Sequence, residues 1–140
     1  MRISLGYPDR AAERELLRGS DRRDMLENLS AVLTPHDLLE LQRQVMQVHA
    51  AEPLLNYLQD LMAATRSGRW FMQGLSPRAG IAVMRAAKAQ AFLDGRDYVA
   101  PDDIATILPQ TAAHRLVPVG NAGRGAREQV RAMLDSVALP

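Results

Sequence analysis

Apolar residues recur at helical spacing in several stretches of this chain, separated by Gly, Pro, Ser and Asp. Leu38, Leu41, Val45 and Val48, with Leu39 and Met46 beside them, form one stripe. Thr34-Pro35-His36-Asp37 opens it with a cap, a proline at the first helical position and an acid in the first turn. Leu54, Leu58, Leu61, Met62 and Thr65 recur at i, i+4, i+7, i+8 and i+11, which predicts a helix over 53–66 and a loop over 67–75. Ser76 caps a third strong helix over 77–94, stopped by Asp94-Gly95-Arg96-Asp97. Pro101-Asp102-Asp103 starts a fourth, to about Ala113, after an extended Tyr98-Val99-Ala100. An earlier helix is expected from Asp9 to Gly19 and a last one over 126–136, with Val117–Gly125 a loop. Residues 20–33 are ambiguous: Met25, Leu26, Leu29 and Val32 have helical spacing, but the opening is highly charged. The pattern predicts an all-α bundle of four to six short helices in one domain.

Composition narrows the chemistry. Aromatic residues are 4% of the 140, so the core must be aliphatic and alanine-rich, which suits closely packed helices. The formal charge of +1 argues against a dedicated nucleic-acid binder. Among the 17 basic residues only Lys88 is a lysine, a bias we attribute to genomic composition. With no cysteine, neither a disulfide framework nor a thiolate metal site is possible. His36, His49 and His114 lie far apart and lack ligand spacing, so no metal site is expected. No serine stands in a GxSxG elbow, and neither GxxxxGK[ST] nor GxGxxG occurs. No stretch is long and apolar enough for membrane insertion, and no signal-peptide segment opens the chain, so a cytoplasmic protein is expected.

The residue that stands out is Arg78, in the first turn of the helix after Gly74-Leu75-Ser76-Pro77. Free backbone N–H groups and the positive dipole end favour an anion there, so a cation fits poorly. Arg78 and Arg85 fall within about 20° of each other on a helical wheel, with Lys88 about 60° further round. Ala79, Val83, Ala86, Ala87, Met84 and Ala91 occupy the opposite side. From the residues alone, Arg78 is either a solvated arginine with slight end strain or an arginine placed to contact an anion.

Five motifs occur in order: Leu5-Gly6-Tyr7-Pro8, Ala64-Thr65-Arg66, Gly74-Leu75-Ser76-Pro77-Arg78-Ala79, Gly95-Arg96-Asp97-Tyr98-Val99-Ala100-Pro101-Asp102-Asp103-Ile104, and His114-Arg115-Leu116. Over residues 3–117 the series resembles the C-terminal helical lid of MoxR-type AAA+ ATPases. The resemblance implies a hinge or linker over 1–8 and the lid bundle over 9–117; the residues themselves predict a C-terminal loop and helix over 118–140. Walker A and B are missing, so the chain resembles an excised lid whose Met1 need not be the natural start, inactive alone. The resemblance further implies that Arg78 is the sensor 2 arginine, reaching the β/γ-phosphates of ATP across a cleft. A guanidinium suits phosphate oxygens and stays charged. Tyr7 would line the adenine pocket or pack the hinge. Arg66 and Arg85 are candidates for an interface, Arg66 and Arg115 also standing where helix-dipole compensation is a competing role. ATP and Mg would bind only with the large subdomain of the same chain. A hexameric homo-oligomer with a chaperone-like role is implied, on client proteins with von Willebrand factor A domains. The rivals are a small helical DNA-binding module and a pure protein-interaction bundle.

Overall fold

The computed structural model describes residues 1–19, 26, 29–120 and 125–140. Among these are six α-helices and one 3₁₀ turn, an all-α bundle as the pattern predicts. They are α1 (Arg10–Arg18), α2 (Pro35–Gln47), α3 (Glu52–Arg66), α4 (Pro77–Leu93), α5 (Pro101–Ala112) and α6 (Ala126–Leu134), with Ala113–Arg115 as the 3₁₀ turn. Met25 and residues 121–124, in the ambiguous stretch and the expected loop, lie outside the described residues.

The helix starts follow from their caps. The Asp9 carboxylate accepts from the Ala12 amide at 2.8 Å. Thr34 and Asp37 form the reciprocal capping box: the Asp37 amide donates to Thr34 Oγ1 at 3.1 Å, and the Thr34 amide to Asp37 Oδ2 at 2.9 Å. The Ser76 hydroxyl accepts from the Ala79 amide at 3.3 Å, with Pro77 at the first helical position. The end of α4 is a Schellman motif, with Gly95 N–H on the Phe92 carbonyl and Arg96 N–H on the Ala91 carbonyl. Its left-handed residue, Gly95 at φ 75°, is one that a side chain would strain.

The core lies where α3, α4, α5 and α6 converge. Leu61, Phe71, Val83, Ile104, Leu108, Val130 and Met133 are each at most 1% exposed. Ala87 and Ala91 on α4 are fully buried, and their small side chains let α5 approach closely. Gly80 plays the same part towards α3, since a Cβ there would meet the Met62 side chain at 3.3 Å. Two short extended contacts staple the loops. His49 and Tyr98 pair in parallel, through His49 N–H to Asp97 O at 2.7 Å and Val99 N–H to His49 O at 2.9 Å. Phe71 and Pro118 pair antiparallel, through Met72 N–H to Val117 O at 2.9 Å and Val119 N–H to Trp70 O at 3.0 Å.

One apolar stripe departs from expectation. α2 has the predicted cap and length, yet none of its residues is buried: Leu39 is 65% exposed, Met46 50% and Leu38 49%. α2 touches the bundle mainly along α4 and leaves an open groove there instead of closing over it. α1 goes further, with every described residue through Leu39 exposed.

Candidate functional site

Arg78 stands on a start that is held from below. Thr65, buried in the last turn of α3, donates its hydroxyl to Met62 O at 2.7 Å and accepts the Leu75 amide at 3.1 Å. Arg66 donates from Nε to Leu75 O at 2.9 Å. Both polar groups of Leu75 are therefore tied to the end of α3, one residue before the Ser76 cap. The fit is tight enough to require glycine at 74. A Cβ there would collide with Arg66 Cγ and would lie 2.8 Å from its Cα and 2.9 Å from its N. The nine-residue loop is thus pinned where it feeds α4, and the position of Arg78 is set by buried neighbours.

Arg78 itself is exposed and makes no side-chain hydrogen bond or ion pair among the described residues. It projects from the first turn of a 17-residue helix whose first N–H groups have no helical partner. Arg85 is also exposed, seven residues further along the same face. The third cation of that face is not free. Lys88 Nζ donates to Met46 O at 3.1 Å, capping the C-terminal end of α2.

The other candidates do not gather round Arg78. Tyr7 is fully exposed and packs on nothing. Arg66 is occupied with Leu75 O, a role in the loop latch that neither dipole compensation nor an interface had suggested. Arg115 contacts its neighbour, Nε to His114 Nε2 at 3.3 Å, and both are exposed. Slight desolvation, then the nearby charges of the N-terminal ammonium, Arg115 and Arg2, lower the His114 pKa from its ordinary value. Arg2, His114 and Arg127 line a hollow of about 300 Å³ beside the 3₁₀ turn.

A polar cluster that the sequence reading did not single out lies at the other end of α4. Arg96 grips Asp103 in a two-pronged pair, Nη1 to Oδ2 at 2.8 Å and Nη2 to Oδ1 at 2.6 Å. It also reaches Asp94 at 2.9 Å. Asp103 is buried and accepts the Ala100 amide at 2.7 Å, completing the α5 cap. The Arg96 guanidinium, through these hydrogen bonds, holds the Asp103 carboxyl below its usual range, against the opposing effect of burial. The available signal was an acid three residues after Ala100, as in a capping box, with an arginine in the turn before it.

The AAA lid domain family matches residues 63–135, more than half of the chain. The chain belongs to this family. It is a lid domain of the MoxR type of AAA+ ATPase, as its relatives indicate. It is similar to Chaperone MoxR1 of Mycobacterium tuberculosis, 30% identical over 99% of this chain and 40% of the relative. It is 34% identical to Uncharacterized protein YeaC of Bacillus subtilis, over 99% of this chain and 44% of that one. Among solved structures it resembles one from Cytophaga hutchinsonii described as a "putative ATPase". The TM-score is 0.82 at 29% identity, over all of this chain and 46% of the other. The chain therefore spans less than half the length of these relatives.

Within this lid, the geometry supplies an exposed guanidinium on a fixed helix start, with no ion pair to it among the described residues. That arrangement can bind and orient an anion. Among the described residues no group of three His, Asp or Glu is placed to hold a metal ion. Among them, too, no helix is long and apolar enough to cross a membrane.

Proposed function

We propose that this lid contributes Arg78 as the sensor 2 residue of a MoxR-type ATPase, binding the β/γ-phosphates of ATP together with a large subdomain of the same protein. The observation that carries the reading is the contrast between a helix start tied to α3 through both polar groups of buried Leu75 and the exposed arginine it presents, which has no side-chain partner among the described residues. A cation at a positive helix end is stabilised when phosphate oxygens join both the guanidinium and the free N–H groups. Phosphoryl transfer responds to positioning and charge, so an arginine on a separate subdomain couples the lid's angle to the nucleotide. Magnesium would sit with the phosphates on the large subdomain, since among the described residues no group of three His, Asp or Glu is placed to hold it.

In this reading residues 1–8 form the hinge, with Tyr7 near the adenine, 9–117 the lid bundle, and 118–140 a packing loop and helix. The assembly is a cytoplasmic hexamer with a chaperone-like action on clients carrying von Willebrand factor A domains. A DNA-binding role is less well supported, because the Lys88 that would extend the cationic stripe is bonded to Met46 O. The test is Arg78→Ala in the lid joined to its large subdomain. Loss of one charge-assisted phosphate contact, about 1.5–3 kcal/mol, lowers ATP turnover roughly 10–100-fold. Unchanged turnover, or hydrolysis by the 140-residue chain alone, would refute the reading.

A further inference from the structure

Among the described residues three polar side chains are buried, Thr65, Asp103 and Thr111. Asp103 caps its own helix α5 and pairs with the turn before it. Thr111 bonds back to Ile107 O and Leu108 O within α5. Thr65 alone spends its hydroxyl on the loop that feeds α4. Its proton is committed to Met62 O, which leaves the oxygen's lone pairs to accept the Leu75 amide at 3.1 Å.

A displacement of Leu75 has few ways to dissipate before Arg78. Ser76 is extended at φ −75° and ψ 159° and accepts the Ala79 amide, and the Pro77 ring fixes the next φ. Gly74, whose backbone could otherwise absorb a shift, is packed against the Arg66 backbone. The loop's other end is held separately: Gln129 Nε2 donates to Trp70 O at 2.6 Å, and Met72 N–H to Val117 O at 2.9 Å. Helical hydrogen bonds do not hold the N–H groups of a first turn, so what places Arg78 lies before the helix.

We infer that Thr65 is a positioning residue for Arg78, its hydroxyl fixing, through the Leu75 amide, the helix start from which the guanidinium reaches phosphate. The inference rests on the sensor 2 reading of Arg78 and adds to it a buried residue that itself touches no nucleotide. Leu75 is 3% exposed, so its amide has little water within reach. Replacing Thr65 by its isostere Val leaves that N–H buried and unpaired, and the amide turns towards another acceptor, carrying residues 75–78 with it. Phosphoryl transfer depends on positioning, so a small shift of the arginine lowers its rate. The consequence is specific. Thr65 acts through Arg78, and its loss is felt only while Arg78 is present.

The test is a double-mutant cycle on ATP turnover by the lid joined to its large subdomain. Arg78→Ala identifies which of kcat and KM the arginine governs. Thr65→Val should worsen that same parameter about tenfold and leave the other near the parent's. Thr65→Ser, which keeps the hydroxyl, should return it to within about twofold of the parent. In the Arg78→Ala background Thr65→Val should change turnover no further, although it lowers Tm in both backgrounds. Arg66→Met, at an exposed position, removes the bond to Leu75 O and should repeat the pattern at about threefold. If Thr65→Val does not fold, the Arg66→Met cycle decides alone. Ile104→Val, a buried trim on α5, should lower Tm and leave turnover unchanged. Full activity of Thr65→Val beside an impaired Arg78→Ala would overturn this inference and leave the sensor 2 reading standing. Equal losses from Thr65→Val with and without Arg78, no recovery in Thr65→Ser, or a matching loss in Ile104→Val would overturn it too. Full activity of Arg78→Ala would remove both.

Discussion

Residues 1–47 and residues 48–137 carry the same kind of pattern and have opposite fates. Both contain well-capped helices with apolar stripes. Every buried hydrophobic side chain nevertheless lies between Val48 and Met133, and no described residue before Val48 is buried. The difference is one of available neighbours. α4 carries Ala87 and Ala91 where α5 crosses, and Gly80 opposite Met62 of α3, so small side chains face both helices. On the side of α4 towards α2, Phe92 and Arg85 line an open groove instead of a closed contact. Amphipathicity tells which face seeks a partner. Whether the partner is present depends on the side chains opposite.

The contrast breaks first at its packed end. Leu61, 1% exposed in the centre of the core, should cost about 2–5 kcal/mol when changed to Ala, read as a lower urea midpoint with the slope preserved. Asp103→Asn comes next. Breaking a buried pair costs about 3–5 kcal/mol, reduced here to roughly 2–3 because Arg96 keeps partial access to water. This loss also has a pH signature. The folded-state pKa of Asp103 lies below its ordinary 3.8, so the folded chain binds that proton less readily than the unfolded one. Its contribution is complete above pH 3.8 and disappears as pH falls through the lower folded value. Acid titration of stability in that window should therefore be flatter for the Asn variant than for the parent. Gly74→Ala should cost about 1–3 kcal/mol by crowding Arg66, and should shift the amide resonances of Leu75 and Arg78 more than those of α6. At the smallest end, Leu39→Ala on the uncovered stripe should change stability by less than about 0.5 kcal/mol. A Leu39 loss approaching that of Leu61 would mean that α2 is covered in solution.

Helix starts were the most legible feature, because Asp9, Thr34 and Ser76 act within three residues and owe little to the rest of the fold. The exposed place of Arg78 in the first turn of α4 was legible from the Ser76-Pro77 start, and its misfit with the helix dipole marked it as a candidate. The place of Arg66 was not legible. Its bond to Leu75 O spans nine residues of loop, and nothing local distinguishes it from any arginine at a helix end. Lys88 shows the same limit across 42 residues, where wheel geometry assigned it to a solvent-facing stripe. In each instance a long-range neighbour outweighed the local rule.

Lys88 also gives the molecule a built-in chemical reporter. It is the one lysine in the sequence, and its amine is engaged at the end of α2. An amine-directed acylating reagent can therefore modify a single side chain, apart from the chain's N-terminus. Its rate at that position reports how often the Lys88–Met46 bond is broken, which turns an isolated side-chain contact into a clock for the junction of α2 with α4.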